Sequence, residues 1–139
     1  MANIFNVQLT KAALLERVGN IEAIAGVRRV VLEDGRNRGS QAYEVLCGRL
    51  RFTVLIDKCM DISELYYDGM PLHFVSRPGS MGNQYWYDGP NAPRSIAGGL
   101  MFTCGLGNVG PTQEIPGGGQ QPQHGRIRST PAVHYGARG

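Results

Sequence analysis

No stretch of this chain approaches the roughly 20 consecutive apolar residues that cross a bilayer, and its start has no charged segment followed by an apolar one of the secretory kind. No basic amphipathic helix offers itself to a membrane surface either, so neither a membrane partner nor secretion is expected. Like charges are never concentrated. The formal net charge of +3 is carried mainly by arginines in scattered pairs, Arg28/Arg29, Arg36/Arg38 and Arg49/Arg51. A nucleic-acid tail needs a run of about five like charges, and no nucleic-acid partner is expected. Cysteine is scarce as well. Cys47, Cys59 and Cys104 are odd in number and lack C-x-x-C spacing, which indicates neither a disulfide framework nor a zinc site and fits a reduced cytoplasm. No cofactor is expected.

Glycine is what the chain has in plenty. With 20 Gly and 8 Pro among 139 residues, 42% of them apolar, long helices are disfavoured and a turn-rich, mostly β fold is expected. The length suits one domain over 1–139, burying roughly two-thirds of its unfolded surface. Thr10 is the expected N-cap of a short helix through Val18, stopped at Gly19-Asn20. Strands are expected at 27–33 and 43–47, with Asp34-Gly35 as turn and 36–41 as a polar loop. From Leu50 the pattern alternates strictly, which places Leu50, Phe52, Val54 and Ile56 on one face and Arg49, Arg51 and Thr53 on the other. A corner at 57–61 leads to a strand over 62–67, closed by Asp68-Gly69. Further strand-like segments are 71–76, 100–104 and 125–132, with loops at 77–95 and 111–123.

Several motifs point to chemistry. Gly105-Leu106-Gly107-Asn108-Val109-Gly110 matches G-x-G-x-x-G after an apolar run. Pro111, Pro116 and three glycines forbid the helix whose first amides would hold a pyrophosphate, and no carboxylate follows at ribose distance. His124, before Gly125-Arg126, is either a surface or capping residue or a histidine presented to a ligand. His73 reads as structural and His134 as uninformative, and the three histidines do not read as a metal cluster. Tyr85 and Trp86, in a Gly/Pro-rich loop, either fold onto the core or form a platform for a sugar ring. Cys104 reads as a small buried hydrophobe before it reads as a nucleophile. Asp57 and Asp61 read as turn residues bonding backbone amides, with an acid/base pair as the alternative.

Taken together, residues 55–62, the Gly98-Gly99-Leu100 to Gly105-Leu106 segment, and His124-Gly125-Arg126 with Pro131-Ala132 resemble the aldose 1-epimerase-like proteins of the galactose mutarotase superfamily. The resemblance implies an antiparallel β-sandwich, here partial and with a short N-terminal helix, whose concave face binds a sugar. In that family a histidine in a His-Gly context contacts the sugar, and His124 matches it. A second histidine and a glutamate further along carry out ring opening, and nothing here matches them. Lys58 stands where the resemblance implies an arginine.

Ring opening needs an acid and a base on opposite sides of the anomeric centre, yet Glu114 is the last carboxylate in the chain. The expected function is therefore carbohydrate binding without complete mutarotase activity, as a single domain or the N-terminal portion of a larger one. The expected sugar-binding residues are His124, Arg126, Asn108, Trp86 and Tyr85. The alternatives are a non-catalytic structural or interaction domain that self-associates, and an active epimerase using Asp57, Asp61 or Glu114. Homo-oligomerisation is expected because a partial sandwich leaves an apolar sheet face and unpaired edges.

Overall fold

The structure, a computed structural model, describes residues 2–4, 7–80, 82, 91, 94–96 and 98–137. A hairpin of β1 (Ala2–Ile4) and β2 (Val7–Leu9) leads into α1 (Lys11–Val18). The expected cap is present: Thr10 Oγ1 accepts from the Ala13 amide at 3.2 Å, and Gly19, with φ of 67°, ends the helix. An isolated helix of eight residues is marginal in water. This one is anchored through Leu14, its single buried residue, and meets β2 and the turn Ile21–Ala23.

The centre of the molecule is an antiparallel meander in chain order, β3 (Ala25–Leu32), β4 (Ser40–Cys47), β5 (Leu50–Leu55), β6 (Asp61–Tyr67) and β7 (Met70–Pro71). Asp68-Gly69 closes β6 onto β7 with φ of 51° and 78°, the left-handed pair that a two-residue hairpin requires. A five-stranded antiparallel sheet with one short helix makes the chain mostly β, as its composition and alternation predict, and fits a β-sandwich-like architecture. Among the described residues no helix is long and apolar enough to cross a membrane.

Several segments depart from expectation, each for an identifiable reason. β4 starts at Ser40 rather than Tyr43 because Ser40 and Gln41 pair with Leu32 and Val31 of β3. The apolar segment 100–104 is not a strand. Its amides are drawn to the corner instead: Leu100 and Met101 both donate to the Ile62 carbonyl at 3.0 and 3.2 Å, and Thr103 donates to Asp61. Strand pairing falls one step earlier, where β8 (Phe74–Val75) meets β9 (Gly98–Gly99). A Cβ on Gly98 would run into the Phe74 carbonyl, so only glycine permits that approach. The expected strand 71–76 is thus split between β7 and β8. Segment 111–123 contains the small hairpin of β10 (Gln113–Glu114) and β11 (Gln120–Gln121). Segment 125–132 is a tight turn and one helical turn, Ile127–Ser129, closed by local bonds from Ser129 to Arg126 and from Thr130 to Ile127.

The meander's two faces are unequal. Cross-strand partners project from one side, so Ala42, Leu55 and Asp61 share a face with Glu44 and Thr53. That face is the covered one. Thr53 and Leu55 are buried while Phe52 and Val54 are half-buried and Leu50 is exposed, which reverses the inside and outside expected for β5. The covering segments explain it: residues 94–96, 98–103 and 122–132 lie over the polar face, tied by Ala132 to the Ile56 carbonyl and by Cys59 to Thr130, both at 2.9 Å. Ile56 is fully buried, but in the corner after β5 and not in the strand. On the other face, Val27, Val45, Phe52 and Leu65 form one cross-strand row in which every member is half-buried. Tyr135 covers a neighbouring part of it, edge-on to Tyr43 at 6.2 Å and beneath the Arg29 guanidinium. Among the described residues the buried apolar side chains are Leu14, Ala42, Leu55, Ile56 and Pro122, against nine buried polar ones.

Candidate functional site

His124 does not start a strand. It occupies a turn with φ of 62°, followed by Gly125 at 75°, and the glycine-rich loop 105–110 wraps around it. The Gly105 amide donates to the His124 carbonyl and the His124 amide to the Gly110 carbonyl, both at 2.9 Å. The Gly110 amide donates to His124 Nδ1 at 3.1 Å. This last bond has a chemical consequence. A ring nitrogen that accepts cannot carry the proton, so the neutral imidazole bears it on Nε2 and is fixed as a donor there. Phe102 meets the ring edge-on, with centroids 6.2 Å apart. The G-x-G-x-x-G run is thus a cradle for a histidine and not for a phosphate.

The turn is clamped from beneath by a buried arginine. Arg128, 2% exposed, donates to the carbonyls of Gln123 and Gly125 on either side of His124, the former at 2.6 Å, and its Nε reaches Ser95 Oγ at 3.4 Å. Lys58 Nζ approaches the Ser95 carbonyl from the other side at 3.4 Å. Burial pushes the Lys58 ammonium below its usual range, and Arg128 adds to this while Asp61 opposes it. Burial likewise raises Asp61 above the usual carboxylate range, against two hydrogen bonds from Thr103 and the charge of Lys58. Lys58, Asp61, Ser63, Ser95, Phe102 and Arg128 enclose a cavity of about 20 Å³, room for one water.

The other expected residues are dispersed. Asn108 is buried in the cradle loop, its Nδ2 donating to the Pro111 carbonyl at 2.8 Å while Oδ1 has no partner. Arg126 is exposed and reaches the Gln120 carbonyl at 3.4 Å. Tyr85 and Trp86 lie outside the described residues. The three carboxylates considered for catalysis are engaged: Asp57 accepts from the Gln41 amide at 2.7 Å, Asp61 holds Thr103, and Glu114 accepts from Gln120 Nε2 at 2.7 Å. Cys104 is exposed, contrary to the buried role expected, because 100–104 follows the corner and not a ladder. His73 is structural, bonded to the Leu65 backbone and edge-on to Tyr66. Among the described residues no three His, Cys, Asp or Glu converge as a metal site. Arg128 and Ser95 were not expected at the site. Alternation around Ile127 predicts one shared face for Arg126 and Arg128; the helical turn Ile127–Ser129 is what separates them.

No curated protein and no solved structure matches the chain. A family model described as Domain of unknown function (DUF4432) matches residues 37–138. That span takes in the corner at 57–61, the glycine-rich cradle, the His124 turn and the arginine beneath it, and the chain belongs to the DUF4432 family.

Proposed function

We propose that the chain is a carbohydrate-binding protein of aldose 1-epimerase-like type, taking a small sugar at the His124 turn without completing mutarotation by itself. The observation that carries this reading is the bond from the Gly110 amide to His124 Nδ1. It leaves Nε2 as an oriented donor beside an aromatic edge, a combination suited to a hydroxylated ring. Asn108, buried in the same loop, supports the turn from within, its Nδ2 bond to the Pro111 carbonyl bracing the cradle around His124. Arg126, one residue beyond Gly125, and Tyr85 and Trp86 would complete the contacts. Mutarotation needs a base facing an acid across the sugar, and Asp57, Asp61 and Glu114 each hold a protein group instead.

Titration of galactose and glucose, followed by amide NMR, should shift Gly110 and His124 and leave the α1 amides unmoved. His124→Gln should abolish the shifts. Polarimetry should give the buffer rate of mutarotation. Shifts that bypass the turn would refute the site. A rate above buffer that is lost in Asp57→Asn or Glu114→Gln would make the chain an epimerase.

A further inference from the structure

The outer edge of the sheet is long and regular. β3 is the first strand of the meander and pairs only with β4, from Ala25 opposite Cys47 to Leu32 opposite Ser40 without a shift of register. β6 differs, since its Ser63 is the extra residue of a bulge opposite Thr53 and Val54. Proteins blunt a free edge with a bulge, a proline or a covering segment. β3 has neither of the first two, and its contact with the turn Ile21–Ala23 lies at its start, where Glu22 meets Gly26.

The direction of its backbone groups follows from β4. The Gln41 carbonyl accepts from the Ile56 amide at 2.9 Å and the Gln41 amide donates to Asp57, so both point away from β3. Val31, opposite Gln41, therefore turns its own N–H and C=O to the free edge, and alternation does the same for Val27 and Arg29. The Leu32 carbonyl points inward, accepting from Gly39, which leaves Glu33 facing out. Among the described residues no hydrogen bond reaches these outward groups.

The side chains along the edge specify what pairs with it. Arg28-Arg29-Val30-Val31-Leu32-Glu33-Asp34 runs from two cations through three apolar residues to two anions. Turned antiparallel on itself about Val31, it sets Arg28 opposite the partner's Asp34, Arg29 opposite the partner's Glu33 and Val30 opposite the partner's Leu32. An axis at Arg28 or Arg29 would set arginine against arginine, and one at Val30 would set both arginines against apolar residues. Charge therefore selects Val31. The backbone agrees, because Arg29, Val31 and Glu33 are the residues whose groups face out. Among the described residues Arg28 and Asp34 hold no hydrogen bond or ion pair through their side chains. Arg29 bonds Gln41 and Tyr135 through Nη2 alone, and Glu33 meets Arg38 at 3.9 Å with both side chains largely exposed, a weak pair.

We propose that β3 pairs with β3 of a second copy about a twofold axis at Val31, joining two five-stranded meanders into one sheet. The pairing is independent of the sugar reading. It sets the copies side by side and leaves the half-covered face of each sheet open.

Cross-linking reads this register directly. Residues that exchange bonds across an antiparallel pair have Cα atoms about 5.5 Å apart, within disulfide reach. With the exposed Cys47 and Cys104 replaced by serine, Val31→Cys should give a disulfide-linked dimer on treatment with oxidised glutathione. Glu33→Cys should not, because an offset of four residues separates the two copies of that position by roughly 13 Å. Adding Asp34→Arg should lower the yield from Val31→Cys about tenfold, since two symmetric attractions become repulsions. Mixing that protein with one carrying Val31→Cys and Arg28→Glu should restore the yield. Val31 is 52% exposed and Asp34 supports no other described side chain, so both substitutions should leave the melting temperature nearly unchanged. The Asp34→Arg result decides even where Arg28→Glu, opposite Glu44, weakens the fold. No dimer from Val31→Cys, an equal yield from Glu33→Cys, or a yield indifferent to Asp34→Arg would each overturn the pairing.

Discussion

Gly125 has φ of 75°, and a Cβ there would enter the van der Waals radius of the Gly105 carbonyl oxygen. The left-handed conformation alone costs a residue with a side chain about 1–2 kcal/mol, and the clash would push the cradle loop off His124. Gly125→Ala should therefore lower the melting temperature by several degrees, on the scale of about 2–6 °C per kcal/mol for a domain of this size. It should also move the Gly110 amide resonance, which reports the bond to His124 Nδ1. Gly136→Ala, at a glycine with open space around it and no left-handed φ, is the control and should be near neutral. Equal melting temperatures in the two variants would mean that the His124 turn is not held by the close approach of Gly105.

The corner joining β5 to β6 shows what an element owes to distant partners. Asp61 is raised by burial more than Thr103 and Lys58 lower it, so its protonated form is favoured by folding. Its contribution is present in full below the unfolded pKa and is lost as pH rises through the folded value. Lys58 is depressed, so its contribution is present above the unfolded pKa and lost as pH falls through the folded one. Between these limits both groups are charged and the corner is least favourable. Denaturant unfolding should thus show stability from this site rising as pH falls from neutral toward the Asp61 range, and Asp61→Asn should flatten that rise. Identical pH slopes would remove Asp61 from the account. What sequence predicts at this scale is whatever its own neighbours determine. The Thr10 cap, the Asp68-Gly69 turn and the alternation from Leu50 are local signals, and the structure contains all three elements. Ser40 in β4, the bulge at Ser63, the failure of 100–104 to form a strand and the inward face of Thr53 each depend on a partner remote in sequence. The same holds at the site. The glycines around His124 mark a crowded backbone, but which amide meets Nδ1, and that Arg128 lies beneath, follow only from the folded chain.

At the scale of the molecule, the row of Val27, Val45, Phe52 and Leu65 leaves one face of the sheet half-covered, while only five apolar side chains are buried among the described residues. We propose that a second copy covers this face, with burial of about 800 Å² per partner sufficing for a stable dimer. Sedimentation velocity at micromolar concentration should show a species heavier than the monomer, and Phe52→Lys should dissociate it. A monomer before substitution would show that the face is tolerated bare. The segment that ties the corner to the chain's last part has a different consequence. The bonds from Ala132 to Ile56 and from Cys59 to Thr130 join residues more than 70 positions apart, whereas each hairpin of the meander closes over a few. Short loops close quickly and long ones late. During synthesis the sheet can form once β7 has emerged, well before His124, Arg128 and Thr130 arrive to fasten its corner. The His124 turn then folds after the sheet, as a latch that can open while the sheet beneath it stays whole.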